Sequence, residues 1–451
     1  MLISRSIISD QQLSIARLIV HSLQVDVDRL SVEAALTACG ESASVLAPGV
    51  SASGDASYID ASGWSFFFDM ADGHAVTPLI ADRWRTLGVL DRVPIDVRER
   101  LLKAYRDNAE RSAHIRREVI EYWQAIAGAG IPAILLKGWP LVEALHESPA
   151  LRLINDVDLL VPADRAHDGL AALERAGLEP LPHNRDAWFA KHLPAYWRLN
   201  GRPVTRPPAN MYDPMHPRPV ELHVQVWERN FRGLGLRDPA GFWERSRVVN
   251  VAGCPMRIPS SEDALIHLCV HWACHWIERE ARLNQLVDLD RFMRKFGDQV
   301  DWQVILATSD AARATRFVDA ALSVARNLLG TPSPPAPVRD RLRAGCPPKL
   351  REWIDRRAAD DVALMDYRHP DKGAAYVLTW LCAQTIRERL GMVRYALLPP
   401  REFIIGRYGL KRRWLAIPFY VPYVLSRTFS YAWPFARALT RIADFGMRNA
   451  E

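Results

Sequence analysis

Cysteine is scarce and scattered in this sequence. Among 451 residues there are six cysteines, namely Cys39, Cys254, Cys269, Cys274, Cys346 and Cys382. No two of them form a C-x-x-C pair, the spacing on which many structural zinc sites are built. A disulfide scaffold and a zinc site made of cysteine pairs are therefore not expected.

The sequence also lacks a clear export signal or membrane span. Residues 1–20 contain no continuous apolar stretch followed by a small-residue cleavage site, so no signal peptide is predicted. Residues 414–436 are long and apolar enough to raise the question of a span, but three prolines and Arg427 interrupt them. Proline kinks a helix and a central arginine is costly in lipid, so we expect a cytoplasmic protein.

The composition is that of a folded protein with a moderate excess of positive charge. Hydrophobic residues make up 49% of the chain and charged residues 24%, so a sizeable core is available and long disorder is not expected. The formal net charge is +6. This excess favours anionic partners such as nucleotides, nucleic acid or anionic lipid, without distinguishing among them.

Four regions differ in pattern along the chain. Residues 1–97 predict a helical N-terminal region with a Gly/Ser-rich flexible loop at 40–63. Residues 98–258 combine a long amphipathic helix with short apolar strands and form the predicted core domain. Residues 259–330 predict a helical domain. After a Pro-rich connector, residues 349–451 predict a basic and aromatic helical C-terminal region.

Three carboxylates in the core domain lie on predicted strands, at positions from which their side chains can converge on one site. Residues 156–162 and 218–227 both predict strands, and side chains alternate in direction along a strand. Asp156 and Asp158 therefore project from one face, and Glu221 lies on the polar face of the later strand. Such a rigid oxygen site suits Mg²⁺ with water and phosphate. The alternative is a turn residue before a buried strand, because D-x-D also occurs by chance.

Several motifs together make the sequence resemble a known family over about residues 64–302. They are HAVTPLIADRW (74–84), LLKGWPL (135–141), LRLINDVDLLVP (151–162), KHLPAYW (191–197), VELHVQVW (220–227), and EDALIHLCVHWACHW (262–276) with RLNQLVDLDRF (282–292). The sequence resembles the uncharacterised nucleotidyltransferase family of bacteria, part of the DNA polymerase β-like superfamily. The resemblance implies an α+β fold, in which helical N-terminal and C-terminal segments flank a small mixed sheet of the polymerase β-like type.

The resemblance also implies site residues and a cofactor. Asp156, Asp158 and Glu221 would be the catalytic carboxylates and would hold Mg²⁺ or Mn²⁺. Superfamily members usually carry a Gly-Ser pair after the first strand, whereas this chain has Lys137 and Gly138 there. The glycine would let the backbone approach a triphosphate, and the lysine would supply a point charge.

Arg152 and His223 complete the predicted nucleotide-binding residues. Arg152 precedes the two aspartates and would hold a phosphate or an aspartate. His223 shares the face of Glu221 and would orient a carboxylate or the substrate, with His192 close by. For Lys137 and Arg152, a structural ion pair with the carboxylates is an equally acceptable interpretation.

Three histidines form a stripe on one predicted helix. His267, His271 and His275 recur every four residues and therefore share a helix face. The outer two lie about 12 Å apart along the axis, so all three cannot bind one ion. Two of them with Asp288 could hold a metal, but a polar stripe that faces the catalytic sheet is commoner, and a role in lining the nucleotide cleft is a further interpretation.

Basic and aromatic side chains alternate through the C-terminal region. The basic ones are Arg387, Arg389, Arg394, Arg401, Arg407, Lys411, Arg412, Arg413 and Arg427. A solvated face is the first interpretation, and peripheral membrane contact through an interfacial helix is the second. A nucleic-acid patch ranks last, because no nucleic-acid motif accompanies the charge.

The sequence therefore predicts a metal-dependent nucleotidyltransferase. It would move a nucleoside monophosphate from an NTP to an unknown acceptor (a small molecule, peptide or protein) and release pyrophosphate. The alternative is a non-catalytic or antitoxin-like nucleotide-binding regulatory module. A membrane-surface scaffold that works through the basic tail is the third hypothesis.

Overall fold

The computed structural model describes residues 9–44, 59–181, 191–198, 210–365, 372–399, 401–410 and 413–426. Within them the protein is α+β and mainly helical. The helices are α1 (Asp10–Leu23), α2 (Arg29–Ser44), α3 (Ala61–Gly73), α4 (Thr77–Leu87), α5 (Ile95–Gly128), α6 (Trp139–Leu145), α7 (Ala166–Arg175), α8 (Phe242–Arg245), α9 (Ser261–Glu278), α10 (Leu283–Phe296), α11 (Trp302–Ala311), α12 (Thr315–Leu329), α13 (Ala336–Ala344), α14 (Pro348–Ala363), α15 (Lys372–Cys382), α16 (Ile386–Leu397) and α17 (Arg401–Tyr408). Residues 416–426 are also helical. The strands are β1 (Ile134–Leu135), β2 (Val157–Leu160), β3 (Glu179–Pro180), β4 (Tyr196–Trp197), β5 (Val220–His223), β6 (Arg247–Val251) and β7 (Cys254–Ile258).

The N-terminal helices extend into both ends of the predicted flexible loop. The prediction was residues 40–63, but α2 continues to Ser44 and α3 begins at Ala61. Asp60 starts α3, because its side chain accepts a hydrogen bond 2.7 Å long from the Gly63 amide. This cap overrides the small, polar composition that suggested a loop, and residues 45–58 lie outside the described residues.

A small mixed sheet forms the centre of the fold. Its five strands lie in the order β1-β2-β5-β4-β3, and β2 and β5 run parallel while the other pairs are antiparallel. The strands are shorter than predicted, at two to four residues each. A separate hairpin of β6 and β7 was not predicted.

The two faces of the sheet pack into different hydrophobic clusters. Leu135, Leu159 and Leu222 belong to a cluster that also contains the inner face of α5 and part of α7. Leu160 faces the other way, into the larger cluster that contains α9 and α10. Because side chains alternate along a strand, Asp158 shares the face of Leu160. The polar face of the sheet therefore packs largely against helices.

α9 begins directly after Ser260. The side chain of Ser260 accepts a hydrogen bond of 3.2 Å from the Asp263 amide, which caps the helix. Asp263 in turn pairs with Arg245 at 2.7 Å. These contacts hold the start of the helix whose histidines approach the sheet.

No helix among the described residues is long and apolar enough to cross a membrane. Residues 427–436 of the apolar stretch considered above lie outside the described part of the chain.

Two glycines bring α16 into contact with the turn at residues 231–233. A Cβ atom placed on Gly391 would lie 2.8 Å from the Gly233 carbonyl oxygen. Such overpacking typically costs about 1–3 kcal/mol, whereas alanine gains about 1 kcal/mol as a better helix former. We expect Gly391→Ala to lower the melting temperature. Gly128→Ala, at a helix position with no atom within 4 Å of the new Cβ, should not lower it. If calorimetry gives Gly391→Ala and Gly128→Ala the same melting temperature, the close packing at Gly391 does not limit stability.

Candidate functional site

The parallel pairing of β2 and β5 brings two of the predicted carboxylates side by side. Asp158 and Glu221 are direct partners in the β2–β5 register. Their side chains therefore point to the same face of the sheet. Asp156 lies two residues before Asp158, just ahead of β2. The structure thus brings Asp158 and Glu221 together, whereas Asp156 lies outside the group of potential metal ligands and is connected to Asp158 through Lys137.

Lys137 lies between the two aspartates. Its Nζ atom is 2.7 Å from Asp158 Oδ2 and 3.3 Å from Asp156 Oδ2. The antiparallel pairing of β1 with β2 explains this, because it places the residues that follow β1 beside the start of β2. Lys137 thus forms the ion pairs with the aspartates that one of its two interpretations predicts. Its ammonium group neutralises part of the carboxylate charge.

Two histidines close the other side of the carboxylate cluster. His223 Nε2 is 3.0 Å from Asp158 Oδ1 and 3.5 Å from Glu221 Oε2. His192 Nε2 is also 3.5 Å from Glu221 Oε2. Ligand atoms of Asp158, Glu221 and His223 lie within 4.8 Å of one another, close enough to surround one metal ion. The described residues therefore offer a mixed carboxylate–imidazole group with Asp156 beside it.

The carboxylates of the cluster have pKa values that are shifted in different directions. Burial raises the pKa of Asp158, but the Lys137 ammonium and the His223 hydrogen bond outweigh it and hold that pKa well below its usual range. Burial opposes ionisation of Glu221 too, yet the imidazoles lower its pKa to about 2. Burial and the neighbouring Asp158 raise the pKa of Asp156. Burial opposes the charge of His223, but its hydrogen bonds with Asp158 and Glu221 outweigh it and raise its pKa, so His223 shares the compensation of the carboxylates with Lys137.

Gly138 adopts a backbone conformation that other residues rarely reach. Its φ of 82° and ψ of −113° lie in a region that is open to glycine because it has no Cβ. The residue follows Lys137 and precedes α6, so this turn directs the lysine toward the aspartates. The predicted role of Gly138 in phosphate contact stays a prediction.

A cavity of about 370 Å³ opens beside the cluster. Its lining includes Lys137, Gly138 and Asp156 from the sheet side, and His271 and His275 from α9. The Asp156 side chain is 32% exposed, whereas Asp158 is 1% exposed. A ligand in this cavity would therefore meet Asp156 and Lys137 first, with Asp158 beneath them.

The histidine stripe of α9 forms a stacked row that reaches the cavity. His267 stacks between Trp227 and His271, with ring centroids 6.5 Å and 5.9 Å away. Burial lowers the pKa of His267 to about 3, so its ring is neutral. His271 and His275 follow, and the two Nε2 atoms are 3.2 Å apart. Two of the three stripe histidines therefore line the cavity, and their predicted role in a nucleotide cleft stays a prediction.

The potential metal ligands near the histidine stripe differ from those that the sequence predicted. Asp288 was the predicted third ligand, but its carboxylate already accepts hydrogen bonds from Arg152 and His146. Instead, His275 lies near two glutamates that follow it in the chain. Ligand atoms of His275, Glu278 and Glu280 lie within 4.8 Å of one another. The cavity therefore has a second group of potential ligands at its edge.

Arg152 forms its ion pair with Asp288 and not with Asp156 or Asp158. Its Nε atom is 2.9 Å and 2.8 Å from the two Asp288 oxygens, and Nη2 is 2.7 Å from Oδ2. His146 adds a contact of 3.0 Å to the same carboxylate, and Arg291 contacts His146 at 2.6 Å. His146 was not predicted from the sequence, because its partner lies 142 positions away on α10. The predicted phosphate contact of Arg152 stays a prediction.

These features define an α+β protein with an acidic site on one face of a small mixed sheet. Residues 60–330, more than half of the chain, match the family model described as uncharacterised nucleotidyltransferase. The protein therefore belongs to the uncharacterised nucleotidyltransferase family, which supports a transferase of nucleotidyl groups. No curated protein and no solved structure matches the chain. The match includes every site residue above and ends before α13.

Proposed function

We propose that the protein is a metal-dependent nucleotidyltransferase with a polymerase β-like core. It transfers a nucleoside monophosphate from an NTP to an acceptor hydroxyl and releases pyrophosphate. The observation that carries the proposal is the pairing of Asp158 with Glu221 across two parallel strands, with Asp156 beside Asp158 on the shared Lys137. Family membership supports the same reaction class.

The donor groups suit Mg²⁺ or Mn²⁺. Both ions prefer oxygen ligands, and Mg²⁺ keeps several waters and substrate phosphates in its shell. Asp156 faces the cavity, so it can offer carboxylate oxygen to an ion that arrives with a nucleotide. Each oxygen of Asp158 has one described partner, His223 or Lys137, and a carboxylate oxygen has two lone pairs. The cluster therefore retains coordinating capacity.

When bound, the metal would neutralise the triphosphate and lower the pKa of the attacking hydroxyl. The protein residues supply position and charge, which is most of what phosphoryl-type transfer requires. Asp156, Asp158 and Glu221 would hold the metal. Lys137 would place a positive charge beside the phosphates at the floor of the cavity. His223 would hold Asp158 in its orientation through the hydrogen bond of 3.0 Å.

One observation favours the non-catalytic alternative. The Lys137 ammonium already contacts both aspartates and takes part of the space between them. Because the Lys137 ammonium compensates part of their charge, the aspartates can stay close together without a bound metal. In that case the chain would bind a nucleotide in the same cavity and would release no pyrophosphate.

Pyrophosphate release separates the two functions. Each of the four NTPs and a desalted cell extract that supplies acceptors are incubated with and without the full chain, in Mg²⁺, in Mn²⁺ and in a chelator. The pyrophosphate and the transferred nucleotide label that depend on the chain are followed. The proposal expects release that requires the metal. Asp168→Asn, at an exposed position on α7, should leave this activity in place. Nucleotide binding without metal-dependent release under all conditions would favour the regulatory module.

Replacing Lys137 tests whether it competes with the metal. Lys137→Met removes the charge but keeps a side chain of similar length. The aspartates then repel one another, so the apo variant should melt lower than the wild type. Mg²⁺ or Mn²⁺ should raise its melting temperature by more than that of the wild type, because a divalent ion replaces the lost charge. An equal shift in both proteins, measured by differential scanning calorimetry, would show that Lys137 and the metal do not share the site.

A further inference from the structure

Exposed apolar side chains are concentrated near the C-terminal end of the described chain. The described residues expose fifteen large hydrophobic side chains, and ten of them lie between Ile386 and Leu425. Scattered exposed apolar residues are normal, whereas a concentration of them marks an interaction surface. This region lies outside the family match, so the nucleotidyltransferase site does not account for it.

The inner face of α16 anchors this helix to the rest of the protein. Buried Glu388 pairs with Arg316 of α12 at 2.9 Å, and Gly391 lies against Gly233. The Tyr395 hydroxyl is 3.4 Å from Glu228 Oε1. These contacts fix which face of the helix points away from the body.

The outer face of α16 is apolar. It carries Ile386, Leu390, Val393 and Leu397, which recur at three- and four-residue intervals and form one helical stripe. Ile386 is 74% exposed and Leu390 is 65% exposed. An ordinary solvated helix has the reverse arrangement, with its apolar stripe turned inward.

The helical segment 416–426 repeats the arrangement. Its inner side packs against α17 and the end of α16, where the Tyr420 hydroxyl donates to the Pro399 carbonyl at 2.7 Å. Its outer side carries Ile417, Val421 and Leu425, which are all exposed, and Trp414 precedes it at 62% exposure. Two neighbouring helices therefore both present apolar stripes outward.

Arginines border this apolar surface. A groove of about 1260 Å³ runs beside α16, and its lining includes Arg229, Arg237, Arg313, Arg387, Arg394 and Arg401. Its two carboxylates are already paired, Asp238 with Arg229 at 2.8 Å and Glu388 with Arg316. Among the described residues, no carboxylate forms an ion pair with Arg387, Arg394 or Arg401. The groove therefore has an excess of positive charge next to the apolar stripes.

We propose that α16 and the segment 416–426 form an interfacial surface that binds anionic membranes. Interfacial helices combine an apolar face with arginine or lysine on the polar side, and tryptophan and leucine enter the headgroup boundary. Anionic lipid attracts the arginines, and the acyl region takes up the apolar stripes. A polyanion such as nucleic acid would leave the apolar stripes exposed. A purely apolar partner would leave the arginine border unneutralised. The proposal does not depend on the nucleotidyltransferase function.

Vesicle sedimentation with the full chain tests this proposal. The protein is centrifuged with vesicles of phosphatidylcholine alone and of phosphatidylcholine mixed with phosphatidylglycerol, at low and high salt. We expect binding to the mixed vesicles that weakens as salt rises. Ile386→Ser/Leu390→Ser/Val393→Ser should weaken it at least about tenfold, and Arg387→Gln/Arg394→Gln/Arg401→Gln about 100-fold at low salt.

A matched control uses apolar residues that are equally exposed elsewhere. Val25→Ser/Leu30→Ser/Ile95→Ser should bind the mixed vesicles as the wild type does, because these residues lie outside the surface. The proposal is overturned if the protein does not sediment with the mixed vesicles, or if it binds vesicles of phosphatidylcholine alone equally well. A dimer in gel filtration that the α16 variant converts to monomer, without vesicle binding, would assign the surface to a second copy of the chain.

Discussion

Asp156→Asn should reduce metal-dependent nucleotidyl transfer by about 10³-fold or more while leaving the fold intact. Asparagine keeps the size of the side chain but removes the negative charge that faces the cavity. Metal-based charge neutralisation supplies several kcal/mol to such a transition state, and each 1.4 kcal/mol is about tenfold in rate. Pyrophosphate release, followed with saturating NTP and Mg²⁺, measures the loss.

The double variant Asp156→Asn/Asp158→Asn should abolish transfer, but Asp158 is also structural. It is 1% exposed and pairs with Lys137 and His223. Its replacement leaves a buried ammonium group with less compensation, so some loss of stability is expected. The single Asp156 variant is therefore the cleaner test, with circular dichroism and melting as checks of folding.

Asp168→Asn is a suitable control for the catalytic variants. Asp168 lies on α7, is 63% exposed and pairs with Arg165. Its loss removes the same charge from the protein at a surface site, where an ion pair contributes little. Wild-type activity in Asp156→Asn, or an equal loss in the Asp168 control, would remove the carboxylate cluster from the proposed chemistry.

The carboxylate cluster could be predicted from the sequence because its spacing is local. Alternation along a strand places Asp156 and Asp158 together, and an alternating pattern marks the face of Glu221. The pairing of β2 with β5 then brings the two strands into register. The alternation of side chains along a strand does not show which element packs against the polar face. Here α9 packs against it, so His223 is buried although it lies on the polar side of its strand.

Long-range side-chain partners could not be predicted in the same way. Arg152 was expected near a phosphate or an aspartate, and its partner is Asp288, 136 positions later on α10. The choice depends on how α6 and α10 pack, which no local pattern encodes. Likewise, the sequence of α16 shows an apolar stripe but not its direction. The Arg316–Glu388 pair decides that direction, because it turns the opposite face inward.

Asp288→Ala should lower the free energy of unfolding by about 3–5 kcal/mol, because it leaves the buried Arg152 guanidinium without its partner. Burial opposes the charge of Asp288, but Arg152 and the hydrogen bond with His146 outweigh it and hold its pKa below the usual value. Guanidinium chloride unfolding at neutral pH measures the loss. Asp91→Asn, in an exposed ion pair with Arg98, should cost less than about 1 kcal/mol.

The pH dependence of this pair distinguishes lost charge from lost packing. Since the pKa of Asp288 is lower in the folded protein than in the unfolded chain, its contribution is fully present above the unfolded pKa of about 3.9. The contribution is lost as pH falls through the folded pKa, so the gap between wild type and Asp288→Asn should narrow below about pH 4. Arg152→Met/Asp288→Leu removes both charges and should recover part of the stability, because neither buried charge then lacks a partner. If the double variant is as unstable as Asp288→Ala, the unpaired arginine is not the cause of the lost stability.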